Sequence, residues 1–195
     1  MRRARPSLSE RIPTATRAWA SRAVLLLACA SVVATSQPQS DDVASTPLTG
    51  TPIRLTTANA RVTRTFVVRV TAAENASDPV AGELRLQTQA KWTPDDPAQT
   101  TQPWLNISHF NDTFALGGQS GVLESGVTVT LESLSRLGEE CPLNRGCEWT
   151  VQVAFEVQAN ALPGTVDMEW TAQAFAHVLN DTSIPKGFTV TLSER

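Results

Sequence analysis

The sequence predicts an all-β domain in which two antiparallel sheets pack as a sandwich of about eight short strands. Three observations lead there. From residue 52 onward apolar residues recur with a period of two. Clusters of Pro, Gly, Asn and Asp separate the runs. No amphipathic helical pattern or repeat of fixed period interrupts them.

The chain opens differently. Residues 23–34 are one apolar run behind Arg2, Arg3, Arg5, Arg11, Arg17 and Arg22. A basic segment, about a dozen apolar residues and small residues at the far end make the pattern of a secretory signal. The run falls short of the roughly 20 residues that a spanning helix needs. Val32-Val33-Ala34 and Ala28-Cys29-Ala30 both place small residues where a leader peptidase reads them. Leu26-Leu27-Ala28-Cys29 instead resembles a bacterial lipobox, which would end the leader at residue 28 and put a lipid on Cys29. Leu27 departs from the smaller or β-branched residue usual at its position, and the sequence stays apolar past Cys29. Two outcomes stay open: a signal peptide spanning 1–34 and secretion, or a lipid anchor in a bacterial membrane through Cys29.

Removing residues 1–34 takes away six Arg and Glu10. Ten bases then face eighteen acids, a net charge of −8. Such a surface repels nucleic acid and anionic lipid, so neither is an expected partner, and membrane contact is expected only through a lipid on Cys29. Residues 35–51 are polar, carry prolines and lack periodicity, which predicts a flexible tether. A single domain over 52–195 is long enough to bury a core of its own.

Within that domain Phe66, Val68 and Val70 mark one strand. Leu84, Leu86, Thr88, Ala90 and Trp92 mark the next, alternating with Glu83, Arg85, Gln87, Gln89 and Lys91. Val127, Val129 and Leu131 follow, then Trp149 to Val157, Val166 to Ala174, and Phe188, Val190 and Leu192. Shorter candidates lie at 52–57, 104–108 and 112–117. Turns are expected at Asn75–Pro79, Pro94–Pro97, Gly117-Gly118, Pro163-Gly164 and Pro185–Gly187. The arrangement is immunoglobulin-like in architecture. It lacks the Cys–Trp–Cys spacing of antibody domains, and architecture alone assigns no function.

Cys141 and Cys147 remain together once Cys29 is removed or lipidated, and in an oxidising compartment they are expected to form a disulfide. Only His109 and His177 are available for acid–base work. Ser108-His109 are neighbours in sequence, but no Gly-x-Ser-x-Gly is present, and a surface or edge-strand histidine is the simpler expectation. No catalytic or metal-ligating residue is therefore assigned. Asp41-Asp42, Asp95-Asp96 and Glu139-Glu140 are loop carboxylates, with Glu148 just beyond the cysteine loop. Calcium is the one cofactor that such oxygen-rich loops suit, although they lack an Asp-x-Asp-x-Asp-Gly run; solvated charge is the simpler reading and no cofactor is expected.

Trp104, in the loop-like Gln102-Pro103-Trp104-Leu105, and Phe175, on the outward phase of its strand, are the candidate ligand or partner contacts. Asn75, Asn106, Asn111 and Asn180 head Asn-x-Ser/Thr sequons, which carry glycans only in a eukaryotic secretory pathway. The expected function is that of an exported, non-enzymatic β-sandwich module in the cell envelope or extracellular space, touching a protein or a glycan. The alternative is a secreted hydrolase using His109 or the loop carboxylates.

Overall fold

The period-two runs form strands in the computed structural model, which describes residues 14–35, 38–73, 78–111, 114–138, 140–158 and 163–195. The chain divides into two units at Gln37/Pro38. In the first, α1 (Thr14–Thr35) runs through the apolar run at 23–34, with Val24, Leu25, Leu26 and Leu27 exposed. No helix among the described residues is long and apolar enough to cross a membrane. The basic residues before position 14 and the side chain of Cys29 lie outside the described part.

Among the described residues the second unit holds twelve strands: β1 (Val43–Ala44), β2 (Leu48–Thr49), β3 (Ile53–Thr56), β4 (Arg61–Thr71), β5 (Pro79–Pro94), β6 (Trp104–Asn111), β7 (Phe114–Val122), β8 (Thr128–Arg136), β9 (Cys141–Pro142), β10 (Cys147–Val157), β11 (Gly164–Val178) and β12 (Thr189–Glu194). Seven form one sheet in the order β1-β11-β5-β8, with β2 and β3 also along β11 and β9 beside the start of β5. Five form the other, in the order β12-β4-β10-β6-β7. Among the described residues every pairing between these strands is antiparallel, and one isolated bridge, Trp92 to Ser125, is parallel.

The two inner faces supply the core. Leu84, Leu86, Ala90 and Trp92 of β5, with Val166, Met168 and Trp170 of β11, bury against Phe66, Val68, Val151, Val153 and Phe155 of the smaller sheet. Each large side chain removed from water in this way contributes about 1.5–3 kcal/mol. Phe66 meets Trp170 edge to face across the sheets, with centroids 5.4 Å apart. Thr88 is also inward and buried, its hydroxyl without a hydrogen-bond partner among the described residues.

The structure differs from the sequence reading at several places. The folded unit begins at Pro38, not at 52. Residues 38–51 of the expected tether lie along β11 as an edge strap. Ser40 N–H donates to the Val178 carbonyl and its Oγ accepts from Val178 N–H; Ser45 does the same with Ala174. Polar sequence serves because backbone and hydroxyl groups, rather than an apolar stripe, make these contacts. Gly117-Gly118 is no turn; both lie within β7. The strand expected at 112–117 is described from Phe114 to Val122, and residues 112–113 fall outside the described part. Val127 is exposed, and the inward residues of β8 continue from Leu131 to Ser133 and Ser135. The turn at Pro185–Gly187 forms, with Phe188 N–H on the Pro185 carbonyl and Gly187 at φ +71°. The Cys141–Cys147 disulfide is present.

Candidate functional site

His109 occupies the inward phase of β6, opposite Gly117 on one side and Val153 on the other. Its ring reaches across the sandwich to β8, where Nε2 lies 2.8 Å from Ser133 Oγ and Nδ1 lies 3.1 Å from Ser135 Oγ. A neutral imidazole has one N–H and one bare nitrogen, so one hydroxyl accepts while the other donates. Burial pushes the His109 pKa down to about 4, which keeps the ring neutral at pH 7. The side chain is wholly buried, contrary to the surface or edge position expected. Ser108 points to the opposite face, because successive strand residues alternate. The pair that sequence adjacency suggested is therefore not brought together, and the serines that bond His109 come from 24 and 26 residues away. The imidazole is thus buried between the two sheets, with its two ring nitrogens taken up by the two serine hydroxyls.

The outward face of the seven-stranded sheet carries polar and partly exposed side chains. Alternation places Gln87, Gln89 and Lys91 of β5, Thr171, Gln173 and Phe175 of β11, and Thr128, Glu132 and Leu134 of β8 on it. Two hollows lie on this face. One, of about 500 Å³, sits among Arg54, Gln89, Lys91, Asp167 and Glu169; the other, of about 620 Å³, sits among Arg85, Gln87, Glu132, Leu134, Gln173 and Phe175.

Phe175 is outward, as its phase predicted, and half-buried. The Arg85 guanidinium lies 4.1 Å above its ring. Arg85 is held in turn by Glu83, with Asp42 of the strap 4.0 Å away. Asp42 also receives His177, Nδ1 to Oδ1 at 2.9 Å. His177 thus clips the strap onto the sheet beside Phe175. Nothing in the sequence signalled this set, because Asp42 lies in the stretch read as a tether.

Trp104 is elsewhere. It begins β6 instead of sitting in a loop, pairs with Val122 of β7, and is 39% exposed. It belongs to the five-stranded sheet, so it and Phe175 do not form one site. The loop carboxylates are also scattered. Asp96 accepts from Ala98 N–H in its own turn, and Glu148 pairs with Arg69 at 2.6 Å and Arg195 at 3.6 Å. Arg69 holds the Glu148 carboxyl below its usual range. Glu139 lies outside the described residues. Among those described, no three His, Cys, Asp or Glu side chains converge to hold a metal. Of the sequons, Asn106 is on β6, its side-chain Oδ1 accepting from Ser120 Oγ at 2.9 Å, and Asn111 ends the same strand. Asn180 is exposed at φ +65° and Asn75 lies outside the described residues.

Compared with known protein families and with curated proteins, the sequence matches none. What fold and face define is a class: a two-sheet β-sandwich presenting a polar face on its larger sheet, with a histidine buried in its interior.

Proposed function

We propose that the chain is exported and acts as a non-enzymatic binding module in the cell envelope or extracellular space, and that the outer face of the seven-stranded sheet is its contact surface. The observation that carries this reading is the pair of hollows flanked by Phe175, Leu134 and amide side chains on one solvent-facing sheet. Recognition surfaces join a few apolar anchors to placed polar groups, and this face has both. The basic, then apolar, leader supports export. The Cys141–Cys147 disulfide agrees with an oxidising compartment. The competing hydrolase reading loses support from the burial of His109.

Two measurements test the proposal. Mass spectrometry of the protein isolated from its source is expected to find an N-terminus after Ala34 or a diacylated Cys29; a chain still beginning at Met1 overturns export. Saturable retention by an envelope fraction is expected to weaken in Leu134→Glu and Phe175→Ala variants of unchanged thermal midpoint. Equal retention of variants and wild type, or turnover that follows the pure protein, overturns the binding role.

A further inference from the structure

We infer that this face takes a neutral glycan, an extended run of uncharged sugars lying along β5 and β11; the inference rests on the binding-module reading above. Both hollows are built on these two strands, so they lie in line. From Arg85 to Lys91 the strand rise alone spans ~20 Å, which suits a chain rather than a single small molecule.

The chemistry of the lining selects the class of chain. Gln87 and Gln89 each present a donor and an acceptor, and the Thr128 hydroxyl does the same, while the Thr171 hydroxyl shares a long contact of 3.4 Å with that of Thr49. Such groups match sugar hydroxyls, which also donate and accept. Gln87 makes only a long contact with Glu132, 3.4 Å from amide nitrogen to carboxylate oxygen, so most of its capacity faces outward. Leu134, 49% exposed, and Phe175 give the apolar face of a sugar ring something to rest on at one end.

Charge narrows the choice further. The two hollows hold Arg54, Arg85 and Lys91 against Glu132, Asp167 and Glu169, and Arg54 pairs with Asp167 at 2.6 Å. Cations and acids balance in the linings of the two hollows, whereas the folded unit as a whole has ten bases and eighteen acids. An anionic polysaccharide gains no steering here and meets repulsion from the rest of the domain. A basic peptide is drawn to the acidic remainder rather than to this face. An uncharged, hydroxyl-rich chain is the ligand whose chemistry the face matches.

The test uses the purified protein and a panel of neutral polysaccharides: α- and β-glucans, mannans, xylans and galactans. Titration calorimetry is expected to find binding to at least one. The affinity is expected to fall roughly tenfold or more in the Gln87→Ala/Gln89→Ala double variant, to survive about 0.5 M NaCl, and to be unchanged in Trp104→Ala on the opposite sheet. These substitutions replace outward-facing groups, and an unchanged thermal midpoint verifies the fold. Loss of binding in Trp104→Ala with none in the double variant overturns the inference, as does failure to bind any member of the panel. If envelope retention then persists and is abolished by protease treatment of the envelope, the binding-module reading stands with a protein partner. If retention fails too, both fall.

Discussion

Lowering the pH from 7 to 4.5 is expected to destabilise the folded domain through His109. The imidazole is held neutral between Ser133 and Ser135, with a pKa of about 4 caused by burial, against an ordinary 6.5. In the unfolded chain it takes up a proton as the pH falls through 6.5; in the folded state it resists until about 4. Between those values the unfolded state binds more protons, so stability decreases as pH decreases. It is fully present above the unfolded value and fully lost below the folded one. At 1.36 kcal/mol per pK unit the whole window corresponds to about 3 kcal/mol, of which about 2.5 kcal/mol falls between pH 7 and pH 4.5.

The assay is urea unfolding at a series of pH values for the wild type and for His109→Gln, which keeps an amide between the two hydroxyls and does not titrate. The wild type is expected to lose stability relative to the variant as the pH falls, by the amount given. Taking the difference removes carboxylates common to both proteins, including Glu148 and Asp181, whose pKa values lie below their ordinary ones. Parallel pH curves, or an NMR titration placing His109 near 6.5, would refute the reasoning.

Three further outcomes are expected. Ser45→Ala leaves the Ala174 N–H without its hydroxyl acceptor, at a cost of about 1–2 kcal/mol, and hydrogen exchange at Ala174 should accelerate before that of β10. Gly50→Ala puts a Cβ within 1.7 Å of the Trp170 indole, so the strap must lift; a loss of about 1–3 kcal/mol with a changed tryptophan emission is the signature. Replacing Cys141 and Cys147 by Ser removes a short cross-link worth about 2 kcal/mol, read as a lower urea midpoint, while alkylation of the unreduced wild type should label neither thiol.

Strand β5 was legible because its two faces meet different solvents: Leu84, Leu86, Ala90 and Trp92 bury while Arg85, Gln87, Gln89 and Lys91 face water. Strand β7 was not, because its glycines serve close approach. A Cβ on Gly117 would come within 2.7 Å of the Leu134 carbonyl oxygen, and one on Gly118 within 2.6 Å of that of Ile107. In sequence the same pair signals a turn. A register shift between His109 and Phe110 further breaks the alternation there. His109 was misplaced because its partners, Ser133 and Ser135, look like the polar end of a strand; only their inward phase after Leu131 hinted that something polar had to meet them. Of the candidate site, the outward phase of Phe175 was readable. The Asp42 contact that fixes its surroundings was not, because β11 reaches the strap across more than a hundred residues of chain.

That long separation has a kinetic side. Among the described residues the strap, running from Ser40 to β3, is paired only with β11, its contacts joining residues 109 to 138 positions apart. Strand β4 likewise needs β10 and β12 as its two neighbours. A chain made from its N-terminus must therefore carry its first strands unpaired until nearly all of it exists, and loop closure of that length precedes any reward from pairing. Folding is expected to be slow and late, completed in one concerted closing around β11. Until then the strap and β4 lack the partners that hold them in the folded sheets.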